Sequence, residues 1–426
     1  MRIGLLSQWF SPETGAASVP GVLARSLADR GHEVFVVTGF PNYPTGRLAP
    51  GYRIRRCIDE PQQAGVRVRR VALYPSHSAA SGKRLLSYSS FAVSASLSGV
   101  RALRQVDAVW VYNSPATVGL PSILTSAGSG PPHLMHVMDI WPDSILFSGL
   151  ATGLSYKVMA RTLNAWCSLT YRHAAAIAGI SRGIVDLLRE RGVHDSKLCY
   201  IPVWTDESIF RKLPYDVALA EELQVGGRFT VLYAGNLGGA QRLDLLLDVC
   251  ERVNDLDDFQ VLVVGSGTAE ARLKAKAESM QLKNVRFLGQ WPANMMGRLL
   301  SISDINLISL SDSPLARVTM PSKLPGIMAS KRAILAWASG DVARIVTESG
   351  GGLVAEPGST DALEEAIRQA YDAGKDSMER MGVSGGTYYH EHLSLRQGVD
   401  AVENRLQAIA DSSSRGVRTS KSLKCS

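Results

Sequence analysis

An apolar run, a glycine-rich turn and a helical pattern follow one another in the stretch Phe229-Thr-Val-Leu-Tyr-Ala-Gly235-Asn-Leu-Gly-Gly-Ala-Gln241-Arg-Leu-Asp244. Short apolar runs that end in glycine are typical of buried strands in a parallel sheet. Glycine permits close backbone approach, and the amides of such a turn, together with the start of a helix, suit a diphosphate. The stretch therefore predicts a strand, a turn and a helix that can bind a phosphorylated ligand.

The same alternation of strand and helix extends through both halves of the chain. In the second half, strands are predicted over residues 229–234, 260–264, 285–288, 305–308, 333–336 and 352–354. In the first half, they are predicted over residues 3–6, 33–38, 66–73, 108–111, 133–137 and 175–178. Helical patterns between the strands predict two doubly wound, Rossmann-like α/β domains with parallel sheets. A ligand cleft between two such domains is the expected site.

Breaks in this alternation set the predicted domain boundaries. The pattern stops around residues 201–206, which predicts a first domain over 1–202 and a second over 203–387. A last helical pattern covers 388–410, and the polar residues 411–426 are predicted to be disordered.

The composition is that of a globular protein whose first half is basic. The chain has 426 residues, 45% apolar and 20% charged, which excludes a disordered, collagenous or coiled-coil protein and predicts about two or three domains. Residues 1–200 contain 21 Lys and Arg against 11 Asp and Glu, whereas residues 201–426 contain 25 against 28. This asymmetry indicates an anionic partner for the first half, either nucleic acid or anionic lipid. Zinc-finger, RNA-recognition and basic heptad patterns do not occur, which disfavours nucleic acid.

Cysteines and apolar segments bear on the cellular compartment. The five cysteines have no paired spacing, so we expect free thiols in a reducing cytoplasm and no zinc site. The N-terminus lacks the apolar core of a signal peptide. Residues 85–100 are uncharged but number only 16 and include six serines, which is short of the roughly 20 apolar residues of a membrane span.

Residues that follow predicted strands in the first half are candidates for substrate contact. His136 and Asp139 lie at the end of one strand, at the edge where open α/β sheets bind ligands, and could orient a sugar or transfer a proton. In the loop after the first strand, Gly15 and Ala16 would present backbone amides to a ligand. Chain reversal alone also explains the glycine.

In the second half, a serine and a lysine open a helix after a loop. Ser322 can cap this helix, whereas Lys323 in its first turn opposes the helix dipole, which is reasonable if an anion binds there. Arg242, in the glycine-rich turn, could supply another cation or be a solvated surface residue, and both interpretations stay open.

Basic and aromatic residues of the first half also suit contact with a membrane surface. The basic residues in question are Arg53, Arg55, Arg56, Arg67, Arg69, Arg70, Lys83 and Arg84. They flank Tyr52, Tyr74 and the serine-rich apolar helix that starts at Leu85. An ordinary basic surface is the alternative interpretation.

These landmarks together resemble glycosyltransferase family 4, the retaining GT-B enzymes, and within it the WbuB-like branch that builds surface polysaccharides. The matching motifs are Pro12-Glu-Thr-Gly-Ala16, Asp139-Ile-Trp-Pro-Asp-Ser144, residues 233–241, Val263-Val-Gly-Ser-Gly267, Asn284-Val-Arg-Phe-Leu-Gly289, Pro321-Ser-Lys323 and Gly351-Gly-Leu-Val-Ala-Glu-Pro-Gly358. Their order and spacing carry the resemblance over nearly the whole chain.

The resemblance implies two Rossmann-like domains facing across a cleft, with the acceptor on the first domain, the nucleotide sugar on the second and the last helix crossing back. It implies a UDP-sugar as co-substrate, no bound cofactor or metal, and a lipid-linked or other saccharide acceptor at the inner face of the plasma membrane. Retention would proceed through a short-lived oxocarbenium–phosphate ion pair whose leaving diphosphate takes the acceptor proton. The residues expected to bind the donor are Gly15, Ala16, Gly235, Asn236, Leu237, Gly238, Gln241, Arg242, Gly265, Gly289, Ser322 and Lys323, and those expected to be catalytic are Asp139 and His136.

One motif departs from the family pattern. The branch resembles P-S-K-x-x-E-Y-M-A, whose glutamate holds the ribose hydroxyls, but this chain has Pro321-Ser-Lys-Leu-Pro-Gly326-Ile-Met-Ala329. Gly326 takes the place of the glutamate, and it and Pro325 are expected to weaken the helix. Either ribose recognition has moved, donor affinity is low, or the chain does not catalyse. A degenerate subunit that supports an active transferase is therefore one rival to a transferase. A UDP-sugar epimerase of the same architecture is another, but it would need acid and base carboxylates in the cleft, so Gly326 argues against it.

Overall fold

The computed structural model of the chain describes residues 1–43, 45–76, 81–143 and 153–422. The chain forms two units, one of Met1–Pro202 together with the chain from Gly398 onward, the other of Val203–Gln397. Each unit contains one sheet with helices packed against it, so the predicted class of two doubly wound α/β domains is confirmed.

The sheet of the first unit has eight strands. They are β1 (Arg2–Leu6), β2 (Glu33–Gly39), β3 (Cys57–Asp59), β4 (Val66–Val71), β5 (Ala108–Asn113), β6 (His133–Val137), β7 (Ala176–Gly179) and β8 (Leu198–Tyr200). Their order across the sheet is β3-β4-β2-β1-β5-β6-β7-β8, and all neighbours are parallel except the antiparallel pair β3 and β4. The central strand β5 is buried along its whole length, which explains its continuous apolar run.

The described helices of the first unit lie between these strands in sequence. They are α1 (Val19–Asp29), α2 (Ser81–Ser98), α3 (Val100–Leu103), α4 (Gly119–Ser126), α5 (Gly153–His173) and α6 (Arg182–Glu190). On α2, Phe91 and Ala95 are buried in an apolar cluster with Val37 and Val111 of the sheet. This packing fixes which face of α2 points toward the sheet.

The second unit has a six-stranded sheet. Its strands are β9 (Phe229–Ala234), β10 (Phe259–Val264), β11 (Val285–Gly289), β12 (Ile305–Ser309), β13 (Ala333–Trp337) and β14 (Gly352–Ala355). They run parallel in the order β11-β10-β9-β12-β13-β14. The described helices are α7 (Val217–Glu222), α8 (Leu243–Arg252), α9 (Glu270–Ser279), α10 (Met296–Ser301), α11 (Pro314–Val318), α12 (Lys323–Ala329), α13 (Asp341–Ser349) and α14 (Thr360–Tyr388).

The last helix, α15 (Leu395–Ser422), follows a π-helical turn at Tyr389–Leu393. From Gly398 onward it belongs to the first unit, where the Glu403 carboxylate pairs with the guanidinium of Arg30 and accepts from His32 Nε2 at 2.8 Å. The prediction of disorder from residue 411 is wrong over 411–422, because the helix continues there. Its serine hydroxyls donate back to carbonyls one turn earlier, Ser412 to Ala408 at 2.8 Å and Ser414 to Ala410 at 3.0 Å. Residues 423–426 lie outside the described part of the chain.

The predicted strands all occur, each within two residues of its predicted bounds. The strands that the sequence pattern missed, β3 and β8, have only three residues each, too few to show a period. None of the described helices is both long enough and apolar enough to cross a bilayer.

Two neighbouring arginines on β4, which we grouped above in one basic surface, have different environments. Arg69 forms a bidentate pair with Asp59 at 2.7 Å on the surface, and this pairing lowers the pKa of Asp59. Arg70 is only 1% exposed; it pairs with Glu60, donates to the carbonyls of Gly39 at 3.0 Å and Ser11 at 2.6 Å, and lies over the ring of Tyr52. Arg70 is therefore a structural cation and not part of a free basic surface.

We predict that Arg70→Met lowers the free energy of unfolding by about 3–5 kcal/mol, because it leaves Glu60 and two carbonyls without their donor. Arg69→Met is the matched control, with an expected loss of less than about 1 kcal/mol, because its ion pair is exposed. Urea denaturation of both variants measures the difference. Equal losses would contradict the structural role of Arg70.

Candidate functional site

In the second unit, two glycine-containing turns pack backbone against backbone at the carboxyl ends of β9 and β10. The Gly235 amide donates to the Val264 carbonyl at 2.9 Å, and the Leu237 amide donates to the Ser266 carbonyl at 2.9 Å. A Cβ atom on Gly265 would lie 1.8 Å from the Gly235 oxygen. Gly265 is thus required for this close approach.

Side chains within the first turn hold it in shape. Gln241 Oε1 accepts from the Gly238 amide at 3.2 Å, and the Tyr233 hydroxyl donates to the Asn236 carbonyl at 2.7 Å. The side chain of Leu237 is buried. Because the amides of Gly235, Leu237 and Gly238 already donate inside the protein, the expected amide nest is smaller than the sequence predicts.

Lys323, the first residue of α12, points its ammonium group at this turn. The Nζ atom lies 3.8 Å from the centroid of the Tyr233 ring and 2.8 Å from the position that a Cβ atom on Gly235 would occupy. It is buried and has no hydrogen-bond acceptor among the described residues. Desolvation lowers the pKa of Lys323 to about 7. A buried ammonium without acceptors is costly, so this arrangement is suited to an anion that supplies them.

The other predicted donor-binding residues of this unit lie around the same sheet edge. Gly289 ends β11, and its carbonyl accepts from the Gly265 amide at 2.8 Å. Arg242 has left-handed backbone and a half-exposed guanidinium 3.7 Å from the Asp244 carboxylate, so it is partly neutralised. Ser322 is exposed and makes no capping hydrogen bond, which corrects the cap that we expected there.

Gly326, at the position of the family glutamate, is buried inside α12, which remains helical despite Pro325 and the glycine. A Cβ atom on Gly326 would lie 2.9 Å from Cδ1 of the Phe210 ring. A glutamate therefore cannot be placed here unless Phe210 moves. The glutamate of the family pattern is thus replaced by a glycine, and the Phe210 ring lies beside this glycine.

In the first unit, Asp139 follows β6 at the carboxyl edge of the sheet, as predicted. The Ser114 hydroxyl, which follows the neighbouring β5, donates to Asp139 Oδ2 at 2.6 Å. The Asp139 side chain keeps access to solvent, yet desolvation by the protein atoms around it raises its pKa, and the Ser114 hydrogen bond opposes that shift. Asp139 is thus an accessible carboxylate with a fixed orientation.

Aromatic rings that the sequence did not single out surround this carboxylate. Trp9, after β1, lies 5.9 Å from the Tyr43 ring and 6.4 Å from the Tyr88 ring, centroid to centroid. All three rings are partly exposed. The charge of Asp139 contributes to raising the pKa of Tyr43 and Tyr88, after the larger effect of burial. The edge of the first sheet therefore offers a carboxylate beside aromatic faces, which is a suitable environment for a sugar ring.

Glu13, in the loop after β1, holds this edge together. Its buried carboxylate accepts from the amides of Phe10 at 2.9 Å and of Asn42 and Tyr43 at 2.8 Å, which joins the loops that follow β1 and β2. Gly15 in the same loop is exposed with φ of +67°, and Gly15 and Ala16 begin a 3-10 turn ahead of α1. The left-handed backbone explains the glycine.

His136 does not belong to this accessible group. Its ring is fully buried inside β6, 5.9 Å from the Trp110 ring, and Nε2 lies 3.0 Å from the Ile201 carbonyl. Burial lowers its pKa to about 4, so the imidazole is neutral. The predicted catalytic role of His136 is therefore wrong in this structure, because no substrate can reach a packed core side chain.

Across 1–43, 45–76, 81–143 and 153–422, no three His, Cys, Asp or Glu side chains come together as a metal site would require.

Comparisons with known proteins agree with this two-unit arrangement. A family model described as "Glycosyl transferase 4-like domain" matches residues 14–204, and one described as "Glycosyl transferases group 1" matches residues 218–385. WcaI of Escherichia coli (strain K12), assigned as a colanic acid biosynthesis glycosyl transferase, is 29% identical over 385 residues. The match covers 87% of this chain and 92% of WcaI.

Solved structures share the fold over nearly their whole length. Sucrose-phosphate synthase from Thermosynechococcus elongatus has a TM-score of 0.70 at 16% identity, covering 99% of each chain. Anabaena HepE in complex with UDP has a TM-score of 0.68 at 14% identity, covering 96% of this chain and 100% of HepE. The fold is that of the GT-B glycosyltransferases. The chain belongs to glycosyltransferase family 4.

We predict that Lys323→Met stabilises the free protein at or below pH 7, by at least about 1 kcal/mol or roughly 2–4 °C in Tm, because it removes a buried, unpaired ammonium. The folded pKa of about 7 lies below the ordinary value of 10.5. Between pH 7 and 10.5 the Lys323 side chain holds a proton in the unfolded chain but not in the folded chain. The wild type therefore gains stability as pH rises, and the stability difference between Lys323→Met and the wild type becomes smaller.

Thermal melts of wild type and variant across this pH range measure the effect. Lys283→Met is the matched control, because Lys283 is exposed and its replacement should leave the stability nearly unchanged. A Lys323→Met protein that is less stable than the wild type at pH 7 would show that the buried ammonium of Lys323 does not destabilise the folded protein.

Proposed function

We propose that the chain is a retaining glycosyltransferase that moves a hexosyl or N-acetylhexosaminyl group from a UDP-sugar to a saccharide acceptor in polysaccharide biosynthesis. The observation that carries this proposal is the buried, unpaired ammonium of Lys323 over the Gly235 turn. UDP as the nucleotide is supported by the HepE structures, which contain UDP or UDP-glucose. Polysaccharide biosynthesis is supported by the likeness to WcaI.

On this proposal the second unit binds the donor diphosphate. Lys323 would hold the negative charge that grows on the leaving group, and the gap left by the absent Gly235 side chain would admit the phosphate. The backbone of Leu237 remains a predicted neighbour of the donor. The other residues of this unit that we still predict to lie beside the donor are Asn236, Gly238, Gln241, Arg242, Gly265, Gly289 and Ser322. The configuration of the transferred sugar is retained if the acceptor attacks from the face that the diphosphate leaves and the departing diphosphate takes the acceptor proton. Gly15 and Ala16 remain predicted donor contacts from the first unit.

The acceptor is proposed to bind at the carboxyl edge of the first sheet. A pyranose presents C–H groups on its faces and hydroxyls at its rim, which suits the partly exposed rings of Trp9 and Tyr88 and the accessible carboxylate of Asp139. The Ser114 hydrogen bond fixes Asp139, which would accept from an acceptor hydroxyl. Asp139 would thereby orient the nucleophile.

A lipid-linked acceptor at the inner face of the plasma membrane fits the charge distribution of the chain. The basic residues are in excess only in residues 1–200, the part that we assign to the acceptor. The described cysteines are free thiols, which is expected in a reducing compartment.

A catalytically degenerate subunit is the second candidate, and the observation that favours it is Gly326. Phe210 fills the space beside this glycine, so the ribose contact of the family is absent here. The deciding experiment incubates the protein with a panel of UDP-sugars and lipid-linked or soluble saccharides, with release of UDP as the readout. UDP binding without turnover of any pair would support the degenerate subunit over the transferase.

We predict that Lys323→Met weakens UDP binding at least about 10-fold at pH 7, because a charge-assisted contact to phosphate is lost. Wild-type affinity should fall as pH rises above about 7, because the free lysine loses the proton that it needs for binding. The variant should show no such pH dependence. Titration calorimetry measures both, with Lys283→Met as the control of unchanged affinity. Equal affinities for wild type and Lys323→Met would rule out the phosphate contact.

We predict that Asp139→Asn lowers turnover by at least about 100-fold, the usual contribution of a side chain that handles a proton or orients a nucleophile. UDP affinity should not change, since Asp139 is assigned to the acceptor. Asp59→Asn, at an exposed carboxylate of the same unit, is the control. Normal turnover by Asp139→Asn would remove this residue from the mechanism.

A further inference from the structure

Three neighbouring helices of the first unit form an outer layer with exposed apolar residues. Helix α4 packs between α2 and α5. The Thr117 hydroxyl, just before α4, donates to the Tyr88 carbonyl of α2 at 3.2 Å, and Trp166 Nε1 of α5 donates to the Ala116 carbonyl at 3.1 Å. We call the outward surface of α2, α4 and α5 the three-helix face.

Helix α2 carries an apolar stripe on this face. Leu86, Val93 and Leu97 are separated by seven and four residues, so they lie on one side of the helix, and they are 52%, 51% and 74% exposed. The opposite side is already used, because Phe91 and Ala95 are buried against the sheet. The stripe is therefore not part of the core. Leu124 on α4 and Val158 on α5 are also exposed.

The charge of the three-helix face is of one sign. Its helices contain Lys83, Arg84, Lys157, Arg161 and Arg172 and no aspartate or glutamate. Asp and Glu are absent from the sequence between Asp143 and Asp186 and between Glu60 and Asp107. Lys83, Lys157 and Arg161 are exposed. Large apolar side chains among uncompensated cations are the features of a surface that lies on an anionic bilayer.

We propose that the three-helix face docks the protein on a membrane surface that contains anionic lipid. The face shares Lys83, Arg84 and the helix from Leu85 with the basic surface expected from the sequence, but it excludes Arg69 and Arg70, which are paired with Asp59 and Glu60. Self-association through this face is disfavoured, because two copies would place the lysines and arginines of one face opposite those of the other. The 18 residues of α2 give a contact about 27 Å long.

The position of the face connects it to the acceptor site. Tyr88, whose ring lies beside Trp9 and near Asp139, is on α2 only two residues after Leu86. The helix that would lie on the membrane thus also contributes to the wall of the proposed acceptor site. This connection rests on the proposed function, whereas membrane docking itself does not.

The test is binding of the full chain to vesicles of phosphatidylcholine with roughly a third phosphatidylglycerol, measured by sedimentation. The wild type should bind these vesicles, bind pure phosphatidylcholine weakly, and dissociate as salt is raised. Lys83→Glu with Lys157→Glu should weaken binding by roughly 30-fold or more, since each cation near such a surface contributes about fivefold. Leu86→Gln with Leu97→Gln should weaken binding also, while helix propensity is kept.

The matched controls lie on the second unit. Arg272→Glu with Lys283→Glu reverses two exposed charges, and Val217→Gln with Val383→Gln replaces two exposed apolar side chains on helices. Both controls should bind vesicles like the wild type. No vesicle binding by the wild type, equal loss in the controls, or a self-associated wild type that the three-helix variants make monomeric would each overturn the proposal.

An assay of sugar transfer to a soluble saccharide acceptor distinguishes a loss of membrane docking from a loss of catalysis. The three-helix variants should retain this transfer, because none of the four residues contacts the acceptor or donor site. Vesicle binding without any sugar transfer would leave the docking surface standing and reject the transferase.

Discussion

Parallel strands end at the same edge of a sheet, and this constraint positions the loops that carry most of the candidate residues in both units. In the first unit it brings Trp9, Ser114 and Asp139 together from three different strand ends. In the second it brings the Gly235 and Gly265 turns together, so closely that one lacks space for a Cβ atom. Because the strands are buried, these loops cannot drift apart, and each unit presents a preformed surface.

Buried charge is used in two ways. Glu13 and Arg70 are surrounded by hydrogen-bond partners and join loops to strands, so their charges are compensated and serve the fold. The Nζ atom of Lys323 is also buried, but it faces an aromatic ring and has no acceptor among the described residues. Stability alone does not explain such a group, whereas binding of an anion does. The contrast supports the proposed phosphate contact of Lys323 more strongly than its position at the start of a helix does.

The strands and the paired glycine turns could be predicted from the sequence, because apolar runs and glycines report on local backbone. The positions of Asp139 after β6 and of Lys323 at the start of α12 could be predicted too, because the strand and the helix start are recognisable in the sequence. Burial of the His136 ring could not be predicted, because residue type near the end of a strand does not tell which way a side chain points. The rings of Trp9 and Tyr43 are 34 residues apart and meet only through the order of strands β1 and β2.

The contact of Gly326 with Phe210 has a consequence for the history of the family. The two positions share one volume, so a chain with glutamate at the first must carry a smaller or displaced side chain at the second. A substitution at only one of the two positions produces either a steric clash or a cavity between them. The two positions should therefore change together among relatives, with a glutamate at the first accompanied by a smaller side chain at the second.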